Sequence, residues 1–179
     1  MQRKLLVSIH LYLAAFFAPF IIVMALSGGL YLLGVKGSVT ESEVTTLAGE
    51  QLALAKGSEK ARVDVLLQQA GIDIDYAYVK TIPQGAITRP TNGTYYQLKQ
   101  TAEGVAVSRM EPDLIAGLME LHKGHGPQLF RWFEVLFALG LLFIMLSGLW
   151  LGLQSPMLKN KTLALSGTGL LVYLLLALI

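Results

Sequence analysis

Three long apolar runs, Leu5 to Val35, Leu129 to Leu153 and Leu163 to Ile179, decide most of what this chain can become. About 20 residues of helix cross the hydrocarbon core of a bilayer, where each backbone polar group must find its partner inside the segment. The first run holds His10 and two tyrosines as its only ionisable side chains. It is about twice as long as the apolar region of a secretory signal peptide, and Gly34-Val35-Lys36 is a poor cleavage site. It is expected to be an uncleaved membrane helix, longer than the bilayer needs and kinked at Pro19. Only 15% of the residues are charged, against about 25% in an ordinary soluble domain. The architecture expected is therefore membrane α-helical, with about three transmembrane helices and one small extracytoplasmic α+β domain between the first two.

The segments divide as follows: transmembrane helix 1 over 1–35, the polar domain over 36–126, transmembrane helix 2 over 127–154, a cytoplasmic turn over 155–162, and transmembrane helix 3 over 163–179. Arg3 and Lys4 before the first helix, and Lys159 and Lys161 between the last two, fall on one side of the membrane. The positive-inside rule makes that side cytoplasmic and places the polar domain outside. A net charge of +2, with no basic stripe interleaved with aromatics, argues against nucleic acid. The chain has no cysteine, which removes disulfides, Cys-type zinc sites, CxxC redox chemistry and the CxxCH attachment of c-type haem.

Inside the polar domain, Ser38 to Thr46 reads as a linker leaving the membrane. Glu59 to Ala70 reads as an amphipathic helix with Ala61, Val65, Leu66 and Ala70 on its apolar side and Gly71 as its stop. A meander of about three strands follows in Ile72 to Ile82, Tyr95 to Lys99 and Val105 to Ser108, with Asn92-Gly93 as a hairpin signal. Asp73 and Asp75 alternate with Ile72 and Ile74, the mark of a half-buried strand. A second amphipathic helix starts at Glu111-Pro112-Asp113 and carries Leu114, Ile115, Leu118, Met119 and Leu121 as its apolar face down to His122. Leu-Ser-Gly occurs near the end of each of the first two membrane helices, as Ser27-Gly28 and as Ser147-Gly148. Small residues there let helices approach, and the two copies are expected to pair with different neighbours.

Several of these residues together resemble the PepSY-associated transmembrane family. The similarity lies in the basic start, the Ile9-His10-Leu11-Tyr12-Leu13 helix ending in Leu-Ser-Gly, and the polar domain that follows. It continues through Leu121-His122-Lys123-Gly124, Phe130-Arg131-Trp132 and a helix ending Leu146-Ser147-Gly148-Leu149-Trp150. The resemblance implies a PepSY-like domain, a bacterial cytoplasmic (inner) membrane and a link to iron or siderophore uptake. Larger members carry four membrane helices and include ferrisiderophore reductases that hold b-type haem with membrane histidines. This chain departs from the pattern in three ways. It carries three apolar runs, the third without histidine; it lacks the Asp-Pro-x-Thr-Gly turn of a typical PepSY domain; and its three histidines fall short of a two-haem set.

His10, within a membrane helix, is a functional-site candidate because burying an ionisable group there is costly. The resemblance makes it a haem ligand; the alternative is an interfacial histidine bonding a headgroup or a carbonyl. His122 and His125 are spaced i, i+3 and would share a helix face only if the helix continued through Gly124, Gly126 and Pro127. Two histidines are too few for zinc, but haem iron needs only one or two axial ligands. By depth, His10 and His122 are expected about 30 Å apart, so no single haem takes both. Bis-histidine ligation then needs His122 with His125, or a ligand from a homo-oligomer or a membrane partner protein. Arg131 is either an interfacial ion pair with Glu134 or a contact for a haem propionate. Trp132, Trp150, Tyr12 and Tyr31 read as interfacial aromatics.

No nucleophile–base set, phosphate loop or protease motif is present. The first reading is an accessory module, a membrane-anchored PepSY-like domain beside an iron uptake system, with no cofactor. The alternative is a b-type haem electron-transfer protein that reduces ferric chelates at the cytoplasmic membrane. A regulator whose domain contacts a protease or an envelope partner is a third.

Overall fold

The computed structural model describes residues 3–178; Met1, Gln2 and Ile179, which begin and end the expected first and third membrane segments, lie outside the described residues. In chain order the elements are α1 (Arg3–Leu32), β1 (Val39–Ala48), α2 (Glu59–Gln69), β2 (Tyr78–Ile82), β3 (Gly85–Arg89), β4 (Tyr95–Gln100), β5 (Gly104–Pro112), α3 (Leu114–His122), α4 (Gln128–Leu153) and α5 (Lys159–Leu178). Among the described residues α1, α4 and α5 are the helices long and apolar enough to cross a membrane. The chain divides into two compact units, residues 1–21 with 135–179, and residues 22–134.

In the first unit α1 and α4 run antiparallel. As α1 advances from His10 to Phe17 and Phe20, its contacts on α4 retreat from Ser147 and Gly148 to Gly140 and Phe137. Phe17 is buried over Gly140, and its ring meets that of Phe137 edge-on with centroids 5.6 Å apart. A glycine under an aromatic ring is how two membrane helices come close where water exclusion offers no drive. α1 continues through Pro19. Lys159 and Lys161 stand in the first turn of α5, and not in the connection before it as their charge suggested. The α5 helix buries none of its described side chains.

The second unit contains a five-stranded antiparallel sheet in the order β1-β5-β4-β3-β2. Its core is Val63, Leu66 and Leu67 of α2 against Leu98, Val105, Val107 and Ala86 of the sheet, closed by Leu52 and Tyr76. The strand β1 replaces the expected linker. Its acids made Ser38 to Thr46 look unstructured, but Val39, Thr40, Val44, Thr45 and Thr46 are β-branched, and the segment pairs with β5 from Val39↔Pro112 to Ala48↔Gly104. Glu41 and Glu43, with a bulge between Glu43 and Thr45, belong to an edge strand protected from further pairing.

The apolar face of α2 is also corrected. Ala61 and Val65 are exposed, and the buried stripe is Val63, Leu66 and Leu67 with Ala70 beside them. The helix offers two apolar stripes, and the sheet covers the one with i, i+3, i+4, i+7 spacing. On α3 the buried residues are Ala116, Gly117 and Met119, whereas Leu114 is 79% exposed. Ile72 and Ile74 do face the core while Asp73 and Asp75 are exposed, yet ladder pairing begins only at Tyr78. Asn92-Gly93 lies in the longer β3–β4 connection, and the two-residue turn is Pro83-Gln84 between β2 and β3.

The two ends of the sheet domain meet at one neck. Val39 is paired with Pro112, Asp113 donates its N–H to the Ser38 carbonyl at 2.9 Å, and the Ser38 N–H and hydroxyl both donate to the Asp113 carboxylate at 2.8 Å. The same carboxylate accepts from Ala116 N–H at 2.8 Å and so caps α3. These bonds hold the Asp113 carboxyl below its ordinary value of 3.8.

Truncating Leu66 to Ala is expected to cost the domain about 2–5 kcal/mol, and Val65 to Ala, on the exposed stripe, less than about 1 kcal/mol. Thermal unfolding of the detergent-solubilised protein checks the contrast, which would shrink if Ala61, Val65, Leu66 and Ala70 together formed the buried stripe.

Candidate functional site

Each compact unit holds one histidine against one Ser-Gly pair. In the first unit His10 Nδ1 lies 2.8 Å from Ser147 Oγ, and a Cβ placed on Gly148 would stand 3.2 Å from His10 Cε1. In the second unit His122 Nδ1 lies 2.9 Å from Ser27 Oγ, and a Cβ on Gly28 would stand 3.3 Å from His122 Cε1. Both serines are buried. The Leu-Ser-Gly echo is thus a repeated cradle: the glycine leaves room for the imidazole edge and the serine holds one of its nitrogens.

Each serine proton has two acceptors in reach, a backbone carbonyl and an imidazole nitrogen. Ser27 Oγ donates to the Met24 carbonyl at 3.1 Å, and Ser147 Oγ donates to the Ile144 carbonyl at 3.1 Å. A hydroxyl has a single proton, so a serine that gives it to the carbonyl serves its histidine as an acceptor. The imidazole then donates from Nδ1–H, and in its neutral form Nε2 carries the lone pair. A hydrogen bond at one ring nitrogen that leaves the other free is the arrangement found behind metal-ligating histidines.

His125 has a different partner. Gly124 adopts a left-handed φ of +73°, which ends α3 and turns His125 out of line with His122. The His125 N–H then donates to the Glu120 carbonyl at 2.9 Å and its Nδ1 meets Glu120 Oε2 at 2.8 Å. Glu120 also receives Arg89 Nη1 at 3.1 Å, the Thr91 hydroxyl and the Lys123 ammonium, and Thr91 N–H donates to the His125 carbonyl at 3.2 Å. The cluster clamps the β3–β4 connection to the turn between α3 and α4. Arg89 is 4% exposed, and its Nε is without a hydrogen-bond partner among the described residues. Burial raises the Glu120 carboxyl, but the bonds from Lys123, Thr91 and His125 outweigh it and hold the group at about 2. Burial pulls His125 below its ordinary value, only partly offset by Glu120.

Beside His122 lies a hollow of about 440 Å³ walled by Gly28, Tyr31, Leu32, Met119 and Lys123. Arg131 and Glu134 do not form the expected ion pair; Arg131 is exposed and closes none among the described residues. The histidines were legible as candidates from their place in or beside apolar runs. The serines stood out as a repeat, but nothing in the sequence matched each serine to a histidine on the other helix. The parts of Arg89, Thr91 and Glu120 were not visible, because they depend on pairing across the sheet.

A chain with three membrane-spanning helices, a small antiparallel sheet domain after the first, and an imidazole cradled by Ser-Gly in each unit defines a class of integral membrane protein. Within that class, a family model described as the PepSY-associated TM region matches residues 7–164, and the chain belongs to that family. No curated protein and no solved structure matches it.

Two outcomes are expected. Nitrogen NMR of histidine-labelled protein at neutral pH should show His10 and His122 as Nδ1–H tautomers, and Ser27→Ala should disturb His122 alone, Ser147→Ala His10 alone. On acidification both clamp groups weaken the fold, since each folded-state value lies below its ordinary one. Stability should begin to fall below about pH 6.5 through His125, and again from 4.5 toward about 2 through Glu120. Glu120→Gln should remove the lower step and cost on the order of 3 kcal/mol at pH 7, because Arg89 loses its counter-charge. Melting temperature against pH reads both.

Proposed function

We propose that this protein is a b-type haem electron-transfer protein of the bacterial cytoplasmic membrane, serving iron or siderophore uptake by reducing ferric chelates outside the membrane. The observation that carries the reading is the serine bonded at Nδ1 of both His10 and His122, which leaves Nε2 of each without a hydrogen-bond partner among the described residues. The residues fit the group. Iron takes a neutral imidazole nitrogen as axial ligand, and the hollow beside His122 is of the size and largely apolar lining that cofactor sites use. When bound, haem iron supplies the one-electron step. The chain's own part is to orient the two imidazoles and exclude water from the ring edge that faces glycine.

In each unit the partner facing the histidine is a serine, so a two-histidine haem would take its second ligand from another copy or from a membrane partner. His125, committed to Glu120, serves the clamp in this reading. An orientation with the N-terminus inside and the sheet domain outside is supported by Arg3, Lys4, Lys159 and Lys161, because basic residues near helix ends favour the cytoplasmic face.

The test is an absorption spectrum of the detergent-purified protein from haem-replete cells, oxidised and dithionite-reduced, beside His10→Ala and His122→Ala. A Soret band and a reduced α-band, diminished in either variant, are expected. A colourless wild-type protein overturns the haem reading and leaves the accessory module beside an uptake system, its partner to be found by pull-down.

A further inference from the structure

The hollow beside His122 has an annex. A second hollow of about 120 Å³ shares the Tyr31, Met119 and Lys123 walls and adds Lys36, Thr91 and Tyr95 on its far side. The hollow at the imidazole is largely apolar, and the second, across the shared side chains, is lined by hydroxyls, ammonium groups and the Glu120 carboxylate.

The charges in the annex do not cancel. Glu120 is paired with Arg89 and with Lys123. The nearby Asp113 carboxylate is spent on Ser38 and on the first turn of α3. Lys36 forms no ion pair among the described residues, and its ammonium rests over the Tyr31 ring at 5.0 Å from the centroid. A cation–π contact at an exposed site is worth less than a charge-assisted hydrogen bond to a carboxylate, so Lys36 gains by taking one up.

Resting on the haem reading above, we propose that Lys36 anchors the carboxylate tail of the group ligated at His122, and that Arg131 does not. The walls give the reason: Lys36 lines the hollow that shares Tyr31, Met119 and Lys123 with the His122 hollow, whereas Arg131 lines neither. Tyr95 supplies a further hydroxyl at the same end, that of Thr91 being given to Glu120.

The test titrates the full chain in detergent with haemin and with haemin dimethyl ester, whose carboxylates are capped, following the Soret band. Wild type, Lys36→Ala, Lys36→Arg, Arg131→Ala and His122→Ala are compared. Wild type and Arg131→Ala should bind haemin about threefold to tenfold more tightly than the ester. Lys36→Ala should lose that preference, and Lys36→Arg should keep it. Full preference in Lys36→Ala, or its loss in Arg131→Ala, overturns the assignment while leaving the haem reading intact. Wild type that takes up neither compound overturns both. Unchanged uptake in His122→Ala removes the ligand from this site and the assignment with it.

Discussion

A polar domain inserted between two membrane helices must leave and re-enter the membrane surface through one gap, and this chain meets that demand with a hydrogen-bonded neck. β1 starts a few residues after α1 and β5 ends one residue before α3, so pairing Val39 with Pro112 fixes where both helices meet the sheet. Asp113 then does three jobs with one carboxylate: it caps α3, holds Ser38 and closes the neck. The position of α3 follows from that closure, and with it the placement of His122 over Ser27 and Gly28. The membrane-side site of the second unit is therefore a product of the sheet register as much as of helix packing.

The cradle itself solves a problem of protons. An imidazole in an apolar setting is tolerated when its donor is satisfied, and a serine within a helix already has a carbonyl one turn back to receive its own proton. Joining the two allows a chain of bonds in one direction, from ring nitrogen to hydroxyl to backbone. That the same device appears in both units, with the same glycine next in sequence, argues for a shared chemical purpose and against chance packing. In the second unit the neighbouring clamp of Arg89, Thr91, Glu120, Lys123 and His125 ties the sheet to the turn that follows His122.

Much of this was readable before the fold was known, and the failures have physical causes. The three spanning helices follow from length and polarity, which depend on solvent alone. The repeated Leu-Ser-Gly was visible, but its histidine partners come from distant sequence and depend on helix register. The β1 strand was hidden because an edge strand carries charge for protection, and charge in a short stretch looks like a linker. The α2 face was misread because apolar residues lay on two stripes, and only the sheet decides which is covered. Leu114 counted as core by pattern is exposed, since α3 buries its small residues Ala116 and Gly117 where the backbone must come close.

The neck has a mechanical consequence. The two strands that meet there are antiparallel and both have their anchored ends at the same place, so a force parting α1 from α3 loads their ladder as a zipper. It would break one pair at a time, beginning with the Ser38–Asp113 bonds and Val39–Pro112, and it would reach the bulge after Glu43 before the core is touched. A small tension of this kind opens the neck while the rest of the sheet stays folded, so the second unit yields first where its sheet joins α1 and α3.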